Sequence, residues 1–305
     1  MGDWISDDTQ ITLKSSDGES GTLIIKYQVD DGVLETYSGP FTIATEGTHT
    51  IMYYSVDNVN NKGPEQTTTV TVDSTAPSVG LVFEGDTYES SVATWITPDT
   101  LLQLPASDMG CGLKVIYYRV DGGEWMQYTG SFTLSAGELV EFYAEDHLGN
   151  TMTTQKQVIG VDTATPNINY LAPAGNHLYI AGREILSLRT GGSVIIGSLR
   201  IEAAANDACG IDRIELYIDG EQRYSEHDSS MLQWLWDERS LFEHTITIRA
   251  YDHLGRVSTK ETTVKLMWLF VLGLTLRYSL LLRFLQKSQW MKLQLLVVFM
   301  ANLLK

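Results

Sequence analysis

Cysteine is almost absent from this chain: Cys111 and Cys209 are the only two in 305 residues. They lie far apart, with no second cysteine near either, so no zinc ribbon and no Cys-x-x-Cys redox pair can form. Basic residues are scarce as well. Lysine and arginine number 21 against 38 aspartate and glutamate, for a formal charge of −17. Five of the basic residues fall within 266–305, which holds no acid, so the remainder carries 16 against 38, a net of −22. Such a surface repels nucleic-acid phosphates, and no nucleic-acid partner is expected. No uninterrupted apolar run reaches the eighteen or so residues of a membrane-spanning helix. The N-terminal MGDWISDD lacks the apolar core of a signal peptide. Gly2 and Ser6 fit the loose myristoylation pattern but are better explained as part of a domain. Gly-x-Ser-x-Gly, phosphate-loop and His-Glu-x-x-His motifs are all missing, and 1–265 shows no sustained helical period.

What is present is a repeat. SGTLIIKYQVDDG (20–32), CGLKVIYYRVDGG (111–123) and CGIDRIELYIDGE (209–221) share one pattern. Each is followed by a second landmark: GTHTIMYYSVDNVNN (47–61), GELVEFYAEDHLGN (137–150) and EHTITIRAYDHLGR (243–256). The same spacing, 89 residues, separates Asp57 from Asp146 and Pro77 from Pro166. Asp146 to Asp252 is 106, so the third copy carries insertions.

Period-two alternation predicts strands with one buried face. In the first landmark that face is Ile25, Tyr27 and Val29, then Ile116, Tyr118 and Val120, then Ile214, Leu216 and Ile218. In the second it is Ile51 and Tyr53, then Val140, Phe142 and Ala144, then Ile246, Ile248 and Ala250. Asp-Gly at 31–32, 121–122 and 219–220 supplies the turns. Short strands repeating about every 90 residues predict tandem sandwiches.

Trp4, Asp17, Ser20, Gly21, Tyr27, Val29, Asp30, Tyr37, Gly39, Pro40, Phe41, Gly47, His49 and Asp57 together resemble the Ig-like repeats of bacterial and archaeal secreted and surface proteins. The third copy is similar to a related subtype through HLYIAGREI (177–185), IIGSLRIEAAAND (195–207), WLWD (234–237) and HTITIRAYD (244–252). The resemblance implies an all-β chain of three tandem Ig-like β-sandwich domains, at 1–76, 77–165 and 166–265, with a short apolar basic tail at 266–305. Copy one starts at its tryptophan and is expected to lack its first strand. The tail reads either as a poor membrane anchor or as sequence foreign to the domains.

The expected function is a non-catalytic structural or interaction module of an exported or cell-surface protein, a spacer or adhesion-type rod. Its partners would be other domains of a longer protein, with protein or glycan ligands, and a membrane only through the tail. The linkers 74–77 and 163–166 are short and proline-stiffened. The histidines recur with the repeat, His147 with His253 and His49 with His244, which marks them as structural.

Two site readings stand beside this. In an Ig-like sandwich Asp17, Asp108 and Asp207 would end strand B, and Asp57, Asp146 and Asp252 would end strand F. That places linker Asp73 near Asp108 and Asp146, and linker Asp162 near Asp207 and Asp252. Three carboxylates at a junction suit calcium. Alternatively, each aspartate caps its own turn through backbone N–H groups. The second reading is a carbohydrate-binding accessory module, with Trp125, Trp234, Trp236, Tyr117 and Tyr217 as a sugar-stacking platform. A row of exposed rings on one sheet face would favour it, and buried rings would remove its basis.

Overall fold

The computed structural model describes residues 3–189, 192–238 and 241–267. These residues form strands, turns and irregular connections, with no helix among them. The tail expected to be either an anchor or foreign sequence lies almost wholly outside the described residues. No helix among those described is long and apolar enough to cross a membrane. The chain divides into two compact units, Met1–Ala164 and Thr165–Lys305.

The first unit contains two cores. In the first domain a sheet runs Asp3–Ile5, Gln66–Val72, Gly47–Asp57, Thr22–Val29 and Glu35–Thr36 in spatial order. The opening strand lies parallel to Gln66–Val72, with Trp4 opposite Thr71. The core is small: Ile43, Ile51 and Val72 are buried, flanked by half-buried Ile5, Ile11, Phe41 and Tyr53.

The second domain repeats this sheet and adds to it. Its order is Met126–Gln127, Leu113–Val120, Glu138–Asp146, Gln155–Val161, Thr94–Ile96 and Thr87–Glu89. Thr94–Ile96 again runs parallel to the last long strand. Two short antiparallel pairs close the opposite side: Val82–Glu84 with Leu101–Gln103, and Ser78–Val79 with Ala106–Ser107. Ile96, Leu102, Val140 and Ala144 are fully buried between the layers. Each large apolar side chain so buried is worth about 1.5–3 kcal/mol relative to exposure.

The second unit holds one larger sandwich. Asn167–Ala172, Leu199–Asn206 and Met231–Trp236 make one sheet. Seven strands centred on Val257–Met267 make the other, including His177–Ile180, Arg183–Ser187 and Ser193–Ile196. The inward positions expected from alternation are buried: Ile214, Leu216 and Ile218, and across from them Ile246, Ile248 and Ala250.

A shared turn device ties the two landmark strands together in all three domains. Asp30, Asp121 and Asp219 open the turns after the first landmark strand with φ near +50°, a region that aspartate tolerates better than most side chains. Their Oδ1 atoms accept N–H bonds from Thr50, Leu139 and Thr245, at 2.8, 2.7 and 2.9 Å. The turn thus caps the start of the strand it pairs with.

Candidate functional site: the acidic turns at the domain ends

The six aspartates singled out from the sequence end strands or linkers, and most spend their oxygens on backbone N–H groups. Asp146 Oδ1 accepts from Leu148 and Asn150 at 2.8 and 2.9 Å, while Asn150 Nδ2 donates to its Oδ2 at 2.6 Å. Asp57 does the same with Val59 and Asn61. Asp252 Oδ1 accepts from Leu254 and Arg256. Strand F therefore ends each time in an Asx-capped turn.

Asp73 is different because some of its partners lie in the next domain. Its N–H donates to Ile5 O at 2.9 Å, which fixes the end of the last strand. Its Oδ1 accepts from Thr75, and its Oδ2 accepts from the N–H of Cys111 at 2.6 Å. Asn150 Nδ2 donates to the Asp73 carbonyl at 3.2 Å. The side chain is fully buried. Burial works against the charged carboxyl, but the Cys111 N–H and thiol and the Thr75 N–H hold its pKa below the ordinary value. Gly110 makes room for this contact: a Cβ there would fall 2.1 Å from Asp73 Oδ2.

Asp73, Asp108 and Cys111 each bring one potential ligand atom to within 4.8 Å of the others. Asp146 stands outside this set and reaches Asp73 through Asn150. Calcium takes six to eight oxygens, and this group brings two carboxylates and a thiol. Asp108 Oδ2 already accepts from Gly110 and Gly112, at 3.2 and 2.6 Å. Burial, and then the Asp73 carboxylate beside it, push the Cys111 thiol up to about 11, so the third member is a protonated sulfur. A cation at this place would face N–H dipoles and displace several of them.

In the second unit Asp207, Cys209 and Asp252 lie together. Asp207 Oδ1 accepts from the Cys209 N–H at 3.1 Å. Burial, and then Asp207, raise the Cys209 thiol to about 12. Asp162 closes the first unit, where its N–H donates to Ile96 O and its Oδ1 accepts from Ala164. Both cysteines are free thiols. Asp212, Asp228 and His253 form another acidic group in the second unit.

The aromatic platform does not assemble as the sequence suggested. Trp236 is buried in the core at 2% exposure and Trp234 packs against that core. The Tyr217 hydroxyl donates to Glu215, and Arg249 lies over its ring at 4.6 Å. Trp125 meets Tyr143 edge-on at 4.8 Å, and Arg119 covers its face at 4.5 Å. Tyr117 and Tyr143 pair across the strands at 5.3 Å. Lateral packing and cation–π contacts within the chain use much of this ring surface.

Sequence reading missed Gly110 and Asn150 as members of the junction. The available signal was the repeated Val-Asp that closes each of the first two copies, together with the Asn of the turn at 146–150.

Strands in this order define an all-β chain of tandem sandwiches. Residues 187–250 match the family described as "Bacterial Ig domain". Among solved structures, fibronectin(III)-like modules of CbhA from Clostridium thermocellum are similar at 15% identity, over 63% of this chain and 95% of that one, with a TM-score of 0.34. A 1.5-MDa bacterial ice-binding adhesin aligns at 12% identity over 80% and 86%, with a TM-score of 0.30. The extracellular cadherin domains 1–4 of protocadherin gamma B7 align at 16% identity over 87% and 74%, with a TM-score of 0.32. No curated protein matches the chain in sequence.

Proposed function

We propose that this chain is a non-catalytic structural and interaction module of an exported or cell-surface protein, a spacer or adhesion-type segment holding other domains of a longer protein at a set separation. The observation that carries it is the Asp73 junction within the first unit. The linker carboxylate is buried, charged and bonded to the backbone of the next domain, in a place that only a glycine at 110 leaves free. A tether that only joined two domains would leave this residue in water. In this reading the aspartates are turn caps and latches. Calcium held by Asp73, Asp108, Asp146, Asp162, Asp207 and Asp252 is the competing role, and a calcium titration separates the two.

The test is a distance distribution between spin labels at the exposed positions Val33 and Val92, one in each domain of the first unit. A narrow distribution that broadens in Asp73→Ala supports the spacer reading. A distribution already broad in the unaltered chain sinks it. The carbohydrate-binding alternative rests on half-buried Tyr117, Tyr143 and Trp125 on one sheet face. Retention on insoluble polysaccharide, lost in Trp125→Ala, would favour it instead.

A further inference from the structure

Among the described residues, most sheet edges are blunted against pairing with another chain. Glu35–Thr36 and Met126–Gln127 are only two residues long. Arg183–Ser187 opens on two charges and is bulged against its neighbour. Glu221–His227 carries charges along its length and is bulged as well. Asn167–Ala172 is bulged between Tyr170 and Ala172, and Lys260 Nζ donates to its Ile168 carbonyl at 3.0 Å.

Met231–Trp236 is built otherwise. It forms the other edge of the three-stranded sheet, six residues long, with no charge, no proline and no bulge against Leu199–Asn206. Leu232 and Trp236 are buried and Trp234 packs on the core, while Met231, Gln233 and Leu235 are exposed. In the second domain the same place holds a single bridge, Leu102 to Phe132, with no strand beyond it among the described residues. The third copy has therefore lengthened an outermost strand rather than lost a neighbour to it.

The backbone of this strand sets how a partner seats. The Ala205 N–H donates to Ser230 O at 2.9 Å, and the two residues continue the register in which Ala203 faces Leu232 and Ile201 faces Trp234. Bonded pairs in an antiparallel ladder fall at every second residue. Leu232, Trp234 and Trp236 thus bond inward, and Met231, Gln233 and Leu235 turn N–H and C=O to the open side. Ser229 Oγ takes both groups of Met231, accepting from its N–H at 3.2 Å and donating to its carbonyl at 2.9 Å. Gln233 and Leu235 remain, and among the described residues no strand pairs with their open side.

We infer that Met231–Trp236 pairs antiparallel with the same strand of a second copy of this chain, joining the two three-stranded sheets across a two-fold axis. Gln233 exchanges backbone bonds with Leu235 of the second copy, and Leu235 does so with its Gln233. Trp234 sits on the axis opposite its own image, a cross-strand aromatic pair. The register with Gln233 opposite Gln233 sets Met231 opposite Leu235 and must first displace Ser229. A chain of formal charge −17 repels its own copies over most of its surface, and this strand carries no charge with which to do so.

The test uses the full chain in analytical ultracentrifugation, with amide exchange at Gln233 and Leu235 as a second readout. The expected result is a monomer–dimer equilibrium in the micromolar-to-millimolar range, with slower exchange at both residues as concentration rises. Gln233→Lys combined with Leu235→Lys sets like charges directly opposite each other and is expected to weaken the dimer by about tenfold or more. The two lysines lower the overall negative charge, so general repulsion cannot cause that loss. Gln233→Glu combined with Leu235→Lys sets opposite charges in the same places and is expected to retain the dimer. Both side chains are exposed in the single chain, so neither variant disturbs its core. A monomer at millimolar concentration overturns the inference. So does a dimer that responds alike to both variants, which would place the contact elsewhere or in another register. Slow exchange at Gln233 and Leu235 that is independent of concentration also overturns it, because another part of the same chain would then cover the edge.

Discussion

The backbone N–H of Cys111 donates to Oδ2 of Asp73 at 2.6 Å, across 38 residues of sequence and from one domain to the next. The bond is charge-assisted and buried, the setting in which a hydrogen bond contributes most and its loss costs most.

Gly110→Ala should break this latch without touching it directly. The added methyl would sit 2.1 Å from the carboxylate oxygen, so Asp73 must leave or the turn must shift. Asp73→Ala leaves the Cys111 and Thr75 N–H groups without their acceptor. Each change is expected to destabilise the first unit by about 1–3 kcal/mol in chemical denaturation. The double variant should lose little more than either alone, because both remove the same contact.

Calcium is expected to leave the thermal unfolding of the first unit unchanged, since the Asp73 and Asp108 oxygens already hold N–H donors. Ligand that binds only the folded state would raise the midpoint by mass action. A clear rise in millimolar calcium, absent with chelator and lost in Asp108→Asn, would mean that these carboxylates exchange their N–H partners for a metal.

Glu141 gives the second domain an acid-sensitive element. Its carboxylate accepts from Arg119 Nε at 2.6 Å and lies 2.7 Å from Lys156 Nζ. The hydrogen bonds from Arg119 and then Lys156 hold it down at about 2. A depressed folded-state value means that the contribution is complete above the ordinary 4.5 and is lost as pH falls from there toward 2. Glu141→Gln should therefore flatten the pH dependence of stability below 4.5, read from denaturation midpoints across that range.

The residue beside the turn aspartate differs among the copies, and the difference has a sign. His49 Nδ1 lies 2.7 Å from Asp30 Oδ2, and His244 Nδ1 lies 2.6 Å from Asp219 Oδ2. The hydrogen bond to Asp30 raises His49 despite partial burial, so its contribution is full below pH 6.5 and is lost as pH rises through the higher folded value. In the second domain Glu138 takes this place, and burial, then Asp121, raise its pKa. Glu138→His should stabilise the second domain at pH 6 by about 0.5 kcal/mol, the scale of a partly exposed ion pair. Glu138→Gln should do so at neutral pH by removing the like charge. A fall in the second domain's denaturation midpoint in both variants would contradict this account.

Strand content, three repeats and the inward faces of both landmark strands were legible in the sequence. Alternation is a local property, and Ile214, Leu216 and Ile218 could be assigned to the core by counting in twos. The same holds for the Asp-x-x-Gly-Asn turns, where an aspartate bonds N–H groups two and four residues ahead. The junction was half legible. The recurring Val-Asp of the linkers and the aspartates at the end of strand B placed Asp73 near Asp108. They did not show that Asp73 would bond the Cys111 N–H across the junction as well as its own turn, because N–H direction belongs to the folded turn. The aromatic reading failed at Trp236 for a related reason: in an edge-proximal strand either face can be the inner one, and only the second sheet decides which.

What the sequence by itself determined, then, is which residues alternate and which turns close on themselves, since both depend on neighbours within a few positions. Which carboxylate crosses a junction and which rings remain in reach of solvent were decided only by the tertiary structure. Those properties depend on segments brought together from well apart in the chain, as in the pairing of Phe83 with Leu102, 19 residues apart, and the bond from Asn150 to Asp73, 77 residues apart.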